Sequence, residues 1–286
     1  MSTIASTAVS VGGHVDGHGR RLTDQVALVT GAGSSGDFLG TGAATALLLA
    51  AQGAAVGVLD TSKERAEHTS ALIEAEGGRA VTLVADLTDQ TAVRSAVDTL
   101  AEQAGRLDVV VNNAAITGGA PVETAQVADW DRVFAVNTRG TMLVCQAATP
   151  HLRRSGGGSI VNVASVAALR GFGSGAYGAS KGAVLSLTTD LAYALGRDGI
   201  RVNCVVPGHL YTPMGDQGGE RGRELRRRAN LLGTEGDAWD VAWTVLFLAG
   251  PESRWITAAA LPVDAGTTAA TGLGMLARMT EGNGAG

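Results

Sequence analysis

The stretch Val26-Ala27-Leu28-Val29-Thr30-Gly31, with the glycine-rich run that follows it to Gly42, decides the fold of this chain. Its four consecutive apolar residues, with no polar alternation, are typical of a strand that is buried on both faces of a sheet. A segment rich in Ala and Leu follows at 42–52 and has the character of a helix. A buried strand, a glycine-rich loop and a helix in this order predict the first unit of a parallel α/β sheet.

The same alternation continues along the chain. Further strands are predicted at 55–59, 80–85, 107–111, 159–163, 200–206 and 259–263, and further helices at 62–76, 89–103, 126–154, 175–197 and 237–249. Parallel strands need right-handed crossovers, so the pattern predicts an α/β fold with a doubly wound parallel sheet of Rossmann type. The predicted organisation is a flexible tail at 1–22, a single domain at 23–266 and a C-terminal tail at 267–286.

Composition narrows the class of protein. The chain has 286 residues, 45% of them hydrophobic, and this is enough for one sizeable core. Its net charge of -5 gives no general case for nucleic acid or an anionic membrane as a partner. No apolar run approaches the ~20 residues that span a bilayer. The start of the chain also lacks the features of a secretory signal, so a cytoplasmic protein is expected.

Cysteine and histidine usage points to neither a disulfide framework nor a metal centre. Cys145 and Cys204 both lie in apolar segments, and we expect them to be buried, reduced thiols. His14 and His18 lie in the predicted tail with no further ligands nearby, so no metal site is predicted.

The loop after the first strand predicts a dinucleotide site. Glycines let the backbone approach a pyrophosphate, and the free N–H groups at the start of a helix attract it. Asp60 ends the second strand, where a carboxylate accepts hydrogen bonds from the adenosine ribose and repels a 2′-phosphate. This placement favours NAD over NADP, although Lys63 and Arg65 lie nearby. The alternative is that Asp60 only caps the next helix, a role that Thr61 or Ser62 fills equally well.

Tyr177 and Lys181 are four residues apart in a predicted helix. This spacing places a phenol and an ammonium one turn apart on the same face. A neighbouring cation favours the phenolate and lowers the tyrosine pKa from its ordinary value of ~10. The pair is therefore a candidate general acid/base near neutral pH. The alternative is a solvated helix on which the two residues are unrelated.

Taken together, the motifs resemble the short-chain dehydrogenase/reductase family over about residues 23–266. They occur in the order of that family: Thr30-Gly31, Asp86-Leu87, Asn112-Asn113-Ala114-Ala115, Asn137, Ser165, Tyr177-Gly178-Ala179-Ser180-Lys181, and Pro207-Gly208 with Thr212-Pro213-Met214. Two departures stand out. Eight residues separate Gly31 from Gly40, which predicts a five-residue insertion at about 34–39, and Tyr177 follows Ser165 by twelve positions rather than the usual thirteen.

The resemblance implies a role for each matching residue. Tyr177 would exchange a proton with the substrate oxygen, while Lys181 would hold the nicotinamide ribose and lower the pKa of Tyr177. Ser165 would stabilise charge that develops on the substrate oxygen. Asn137 would fix a water that links Lys181 to solvent. The implied cofactor-binding residues are Gly31, Gly40, Gly42, Asp60, Asp86, Leu87, Asn113, Tyr177, Lys181, Gly208 and Thr212.

The function implied by the resemblance is an NAD-dependent oxidoreductase that interconverts a secondary alcohol and a ketone. Its partner would be a small-molecule alcohol or ketone, and the long helices at 126–154 and 175–197 would build a homotetramer or homodimer. An NADPH-dependent reductase of 3-oxoacyl thioesters is the first alternative. A dinucleotide-binding scaffold without turnover is the second.

Residues 209–235, rich in Gly, Arg and Glu, are predicted to replace regular structure and correspond to the substrate lid of that family. Their arginines either attract a substrate carboxylate or phosphate or form a solvated helix face paired with Glu220 and Glu224; the solvated face is favoured. His209 and Tyr211 either line the substrate pocket or pack beneath the lid. The tryptophans Trp239, Trp243 and Trp255 are expected in the core or at a subunit interface.

Overall fold

A computed structural model describes residues 20–36, 38–118, 120–215 and 218–280, with side chains described as far as residue 276. Residues 1–19 and 281–286 of the predicted tails lie outside the described residues. So do Asp37 of the predicted insertion and residues 216 and 217 of the predicted lid.

Seven parallel strands form one sheet in the order β3-β2-β1-β4-β5-β6-β7. The chain runs outward from β1 in one direction and then from β4 in the other, so the doubly wound Rossmann-type sheet is confirmed. The strands are β1 (Val26–Thr30), β2 (Ala55–Asp60), β3 (Arg79–Val84), β4 (Val109–Asn112), β5 (Gly158–Val163), β6 (Ile200–Pro207) and β7 (Ala260–Val263).

Helices connect the strands and cover both faces of the sheet. They are α1 (Thr41–Ala51), α2 (Lys63–Ala75), α3 (Gln90–Ala104), α4 (Val127–Phe134), α5 (Thr141–Arg154), α6 (Ala176–Leu195), α7 (Gly219–Arg228), α8 (Ala238–Ala249) and α9 (Gly272–Thr280). Among the described residues, none of the helices is long and apolar enough to cross a membrane.

The apolar run of β1 is explained by two cores, one on each side of the sheet. Ala27 and Val29 pack with α1 and α8 on one face. Val26 and Leu28 pack with α3 and α5 on the other face. Alternate side chains of a strand point to opposite faces, so a strand covered on both sides must be apolar at every position. Cys145 and Cys204 are buried free thiols, as predicted.

Two boundaries differ from the predicted ones. Leu22, assigned to the flexible tail, is fully buried, and its N–H donates to the Gln52 carbonyl oxygen, 2.9 Å away. The ordered domain therefore begins before residue 23, because this leucine covers the end of the first core. In the predicted C-terminal tail, residues 272–280 form α9, which contacts α7 and buries Met275.

Two internal elements also differ. The single helix predicted at 126–154 is two helices, α4 and α5, joined by a π-helical segment at Ala135–Gly140. The lid region, predicted without regular structure, contains the ten-residue helix α7. It also forms a short parallel bridge between Leu210–Tyr211 and Gly236–Asp237. The bridge joins the two ends of the lid, so the segment returns to the sheet close to where it left it.

Candidate active site

A cleft of about 1210 Å³ opens at the carboxyl ends of the strands. In a doubly wound sheet this is where the connections diverge to opposite faces and leave a crevice for ligands. All the predicted cofactor-binding residues line the cleft, and Ser165 lines it with them. Asn137 does not belong to the lining. Within the described residues there is no group of three side chains suited to hold a metal ion.

The glycine loop brings the start of α1 against the end of β1. A Cβ at Gly42 would overlap the carbonyl oxygen of Gly31 and the side-chain amide of Asn113, so only glycine fits there. Asn113 fixes the approach, because its Nδ2 donates to the Gly31 oxygen at 3.1 Å and its Oδ1 accepts from Thr41 Oγ1 at 2.7 Å. Gly40, before the helix, offers no side-chain cap. The first amides of α1 therefore face the cleft free for an anion.

The predicted insertion lies on the cleft. Leu39 is buried in the core, while Phe38 lines the cleft and its ring centroid lies 4.6 Å from that of Tyr211. The Arg223 guanidinium also lies over the Tyr211 ring, 4.3 Å from its centroid. The cofactor loop and the segment after β6 are thus joined through a stack of side chains at the mouth of the cleft.

Asp60, at the end of β2, holds the glycine loop at one end of the cleft. Its Oδ2 accepts from the Gly33 amide at 3.1 Å, and its Oδ1 accepts from Arg65 Nη2 at 2.6 Å and Nε at 3.2 Å. The helix cap is Ser62, whose side chain accepts from the Arg65 amide, so the capping alternative for Asp60 is wrong. An acidic and a basic group therefore stand side by side where the two dinucleotides differ.

Asp86 lines the cleft on the same side. Its carboxylate accepts from the backbone amide and the hydroxyl of Thr88, both at 2.8 Å. These hydrogen bonds, the backbone one first, lower its pKa. The group is a fixed anion that can accept from the amino group of a base.

Ser165, Tyr177 and Lys181 meet at the wall of the cleft. Ser165 follows β5 and caps a short 3-10 turn, and its hydroxyl hydrogen-bonds the Tyr177 phenol. Tyr177 and Lys181 lie in the first two turns of α6. The Lys181 ammonium is 5.9 Å from the Tyr177 ring centroid and donates to the Val163 carbonyl oxygen at 2.7 Å. The predicted one-turn juxtaposition is present.

The electrostatics of this group differ from the prediction. Burial raises the pKa of Tyr177, and the Ser165 hydrogen bond opposes this only in part. The predicted lowering by Lys181 is therefore not seen. Burial in turn lowers the pKa of Lys181 to about 8. Both pKa shifts have the same cause. Burial removes water from the two groups, and this favours the neutral form of each.

Asn137 is fully buried in the π-helical segment. Its Oδ1 accepts from the Ile116 amide at 2.8 Å, and its Nδ2 donates to the Ile116 carbonyl oxygen and to Ser180 Oγ, both at 3.0 Å. The side chain therefore joins the loop after β4 to α6, next to Lys181. Asn137 therefore fixes the position of the cleft wall and does not itself line the cleft.

Thr30, beside the cleft, and Phe172, in its lining, were given no role of their own in the sequence analysis, whereas His209 was already a candidate for the substrate pocket. Thr30 accepts from the amides of Asn113 and Ala114, both at 3.1 Å, and so fixes the loop after β4. A polar residue at the end of a buried strand was the available signal. Phe172 and His209 line the cleft with their ring centroids 5.0 Å apart. Phe172 carried no signal, because it lies in a loop whose length departs from the resemblance.

The lid arginines divide into two sets. Arg227 and Arg228 pair with Glu224, as the solvated-face interpretation expects. Arg223 and Arg226 pair instead with Glu235 from the far end of the lid, at 2.7 Å and 3.0 Å. That carboxylate is buried and the Arg226 side chain is 12% exposed, so Arg226 belongs to the interior of the lid. Arg223 is 37% exposed and also approaches Glu220, at 3.7 Å, so it remains partly on the solvated face.

Comparison with known proteins identifies the family. A family model described as Enoyl-(Acyl carrier protein) reductase matches residues 38–268. Short-chain reductase protein NovJ from Streptomyces niveus is 40% identical over 250 residues, which are 85% of this chain and 94% of that protein. 2-(R)-Hydroxypropyl-CoM dehydrogenase from Xanthobacter autotrophicus is 42% identical over 255 residues, with coverage of 86% and 99%.

Solved structures agree with this. The crystal structure of levodione reductase superposes with a TM-score of 0.81 at 34% identity, covering 88% of this chain and 100% of that one. A dehydrogenase/reductase from Sinorhizobium meliloti gives a TM-score of 0.80 at 38% identity, covering 87% and 96%. Since sequence and overall fold both match over more than four fifths of the chain, the protein belongs to the short-chain dehydrogenase/reductase family.

Proposed function

We propose that this protein is an NAD-dependent oxidoreductase that interconverts a secondary alcohol and a ketone. One observation carries the proposal: Ser165, Tyr177 and Lys181 meet on the wall of the cleft that also holds the glycine loop and Asp60. Relatives named meso-2,3-butanediol dehydrogenase, from Serratia marcescens, and cyclopentanol dehydrogenase, from Comamonas, are 35% and 38% identical. Their names support a small alcohol or ketone as the partner.

The described residues fit a dinucleotide. The uncapped start of α1 suits the pyrophosphate, Asp60 suits the adenosine ribose, and Asp86 suits the adenine. Leu87, Asn113, Gly208 and Thr212 also line the cleft. We assign Gly208 and Thr212 to the nicotinamide. When bound, the nicotinamide supplies the hydride acceptor or donor, and the protein supplies orientation and proton transfer.

The proton chemistry falls to Tyr177. In the oxidative direction its phenolate takes the proton of the substrate hydroxyl, and in the reductive direction the phenol returns it. Ser165 donates a hydrogen bond to the same substrate oxygen and stabilises charge as it develops. Lys181 keeps a buried positive charge beside the phenol, and Asn137 holds the loop against α6 as a positioning residue.

Replacing the phenol tests this assignment. Tyr177→Phe removes the proton carrier and leaves the ring, so kcat should fall by roughly 10²–10⁴-fold. NAD affinity, measured by titration, should stay within a factor of two or so because the glycine loop is untouched. Tyr193→Phe is the matched control, since this tyrosine lies on the same helix and is exposed to solvent. Unchanged kcat in Tyr177→Phe would remove this residue from the mechanism.

Cofactor titration separates the alternatives. Arg65 beside Asp60 favours the NADPH-dependent reductase of 3-oxoacyl thioesters, and 3-oxoacyl-[acyl-carrier-protein] reductase FabG from Thermotoga maritima is 39% identical. Tight binding of NADPH without binding of NADH would reverse the choice. A screen of secondary alcohols with NAD, read as absorbance of the reduced nicotinamide, tests the scaffold alternative, which expects binding without turnover.

We also propose a homotetramer or homodimer built on α4, α5 and α6. Tyr193 on α6 is 91% exposed, and Met142 on α5 and Val127 on α4 are exposed as well. Large apolar side chains on the outer faces of these helices are typical of a subunit interface.

A further inference from the structure

Arg226 brings a buried positive charge to the wall of the cleft. The side chain is 12% exposed and lines the cleft from α7. Its Nε donates to Glu235 Oε1 at 3.0 Å, and its Nη1 donates to the Gly215 carbonyl oxygen at 3.0 Å. Its Nη2 is enclosed and, among the described residues, has no hydrogen-bond partner. An enclosed charged donor without an acceptor is costly, so this nitrogen calls for a ligand oxygen.

Within the described part of the lid, Arg226 shares the one carboxylate with which it forms an ion pair. Glu235 accepts from Arg226 and also, at 2.7 Å, from Arg223 Nε, so one carboxylate serves two guanidinium groups. Arg227 Nη1 approaches the same carboxylate at 3.7 Å. Among the described residues, no second carboxylate forms an ion pair with Arg226. The shared carboxylate leaves part of the Arg226 charge available to an anion, and the low exposure of this side chain strengthens such an interaction.

Asp264 is the other acidic group on this side of the cleft. It acts on the charge of His209, but its own oxygens are engaged with the backbone. Its Oδ1 accepts from the Gly266 amide at 2.9 Å, and its Oδ2 accepts from the amide and hydroxyl of Thr268 at 2.8 and 2.7 Å. Asp264 thus supports the turn after β7, and among the described residues it forms no ion pair with Arg226.

The charge stands on the substrate side. Burial and then the Arg226 charge lower the pKa of His209, so guanidinium and imidazole share one environment. His209 lies against Phe172, which comes from the same loop as Ser165. The dinucleotide side is marked instead by Asp60 and Asp86, which carry the opposite charge. Arg226 therefore faces the part of the cleft that the proposed function leaves to the substrate.

We propose that Arg226 binds an anionic group of the substrate, so that the natural substrate is an alcohol or ketone that carries a carboxylate, sulfonate or phosphate. This inference rests on the proposed function of the cleft. With Nε and Nη1 engaged, Nη2 binds a single oxygen, which all three groups offer. The reacting carbon lies at Tyr177 and Ser165, and the anion lies at Arg226.

Binding of small probes to the protein tests the proposal without knowledge of the substrate. Butyrate, 1-propanesulfonate and propyl phosphate are titrated into the NADH-saturated protein by calorimetry, with butyramide as the neutral match. At least one anion should bind about tenfold or more tightly than butyramide, a difference typical of one charge-assisted hydrogen bond. The anion with the largest ratio identifies which of the three groups the site takes.

Variants assign the effect to this residue. Arg226→Met should abolish the preference for the anion and leave the affinities for butyramide and NADH unchanged. Arg226→Lys keeps the charge but loses the fork of donors, so it should retain only part of the preference. Arg221→Met, an exposed arginine of the same helix, should behave as the unaltered protein. Glu235 keeps Arg223 as a partner in these variants, and a thermal melt checks that the lid remains folded.

Three results would overturn the inference. The first is that none of the anions binds more tightly than butyramide. The second is that Arg226→Met lowers the affinities for anions and butyramide equally, as expected of a structural residue. A loss of NADH affinity in Arg226→Met would place this charge on the cofactor diphosphate instead. Failure of the unaltered protein to bind NADH contradicts the proposed function, and the anion titration, repeated without NADH, still decides the role of Arg226.

Discussion

Lys181 is the residue at which charge and burial conflict most directly. Its side chain lies on α6 beneath the cleft, and the ammonium donates to the Val163 carbonyl oxygen at the end of β5. Burial removes water from the ammonium and disfavours its charged form, which lowers the pKa to about 8. Lys181 therefore titrates close to the pH at which enzymes are usually assayed.

Stability should depend on pH through this residue. The unfolded chain keeps the lysine proton up to the ordinary pKa of 10.5, whereas the folded chain releases it near 8. Between these values the unfolded state binds more protons, so the free energy of unfolding rises with pH. This gain in stability is lost as the pH falls through about 8, where Lys181 takes up its proton in the folded chain as well. One proton gives a slope of at most ~1.4 kcal/mol per pH unit.

Urea unfolding of the cofactor-free protein at a series of pH values from about 7 to about 9.5 measures this slope. Lys181→Met serves as the reference, since a thioether side chain does not titrate in this range. The unaltered protein should gain stability with pH relative to the variant. Parallel curves for the two proteins would show that the buried ammonium keeps its ordinary pKa.

Asp60 and Arg65 make a second prediction at the scale of single residues. Asp60→Asn retains an oxygen for the Gly33 amide but removes the charge that repels a 2′-phosphate and holds Arg65. The ratio of kcat/KM for NADP to that for NAD should rise by about tenfold or more, since each tenfold step corresponds to ~1.4 kcal/mol. Steady-state kinetics with both cofactors measure it.

The double variant Asp60→Asn with Arg65→Met is the control for this exchange. Without the guanidinium, part of the gain with NADP should disappear, because the repulsion is removed but no cation remains at this position to bind the 2′-phosphate. If the ratio stays constant in Asp60→Asn, the carboxylate does not select the dinucleotide.

At the scale of elements, the contact between the glycine loop and α1 is the most sensitive to added volume. Gly42→Ala would place a methyl group on the Gly31 carbonyl oxygen and the Asn113 side chain. Backbone and helix must then move apart, and we expect a loss of stability of about 1–3 kcal/mol, typical of overpacking. Dinucleotide binding should weaken as well, because the first amides of α1 shift.

Gly36→Ala is the matched control in the same loop, where an added Cβ meets nothing within 4 Å. Its stability should stay within about 0.5 kcal/mol of the unaltered protein. Thermal melts and NADH titrations of both variants check the pair. Equal effects of the two substitutions would mean that the loop adapts freely to volume at either position.

The elements show what a sequence conveys and what it leaves out. The strands were predicted because β1, β4 and β5 are covered on both faces and carry apolar runs that no helix period explains. The π-helical segment at Ala135–Gly140 was missed, since one extra residue in a turn leaves the apolar pattern of a long helix almost unchanged. The segment places Asn137 against Ile116 and Ser180, and such tertiary contacts are not visible in the sequence.

The lid was missed for another reason. Helix α7 contains two glycines and five arginines and has no buried residue, so its composition argues against a stable helix. Its order comes from Glu235, which lies beyond the end of the helix in the chain. The local spacing predicts Tyr177 and Lys181, because both lie on one helix, and the family resemblance adds Ser165. Local patterns do not predict the ion pairs of Glu235 with Arg223 and Arg226, because these residues lie at opposite ends of the lid segment.

At the scale of the whole molecule, the exposed face of α6 predicts assembly. Light scattering after gel filtration should give the mass of a homotetramer or homodimer. Tyr193→Glu places a charge on a side chain that is 91% exposed in the single chain, and it should shift the protein to a smaller species if this face is buried between subunits.

Tyr193→Phe, which keeps the ring, should leave the mass unchanged. Trp255→Glu probes a separate exposed surface, near the edge strand β7. A mass that responds to Trp255 and not to Tyr193 would move the interface from the helices to the sheet edge. An unaltered protein that elutes as a single chain would contradict the proposed assembly as a whole.

The contact between the rings of Phe38 and Tyr211 matters for chimaeric proteins in which a segment is taken from a related enzyme. Residues 34–39 lie in the first βα connection, and Tyr211 lies after β6, yet their rings touch across the mouth of the cleft. A chimaera that imports another enzyme's substrate segment while keeping this insertion would leave Phe38 facing a foreign partner. We therefore expect substrate preference to be transplanted intact only when both segments are moved together.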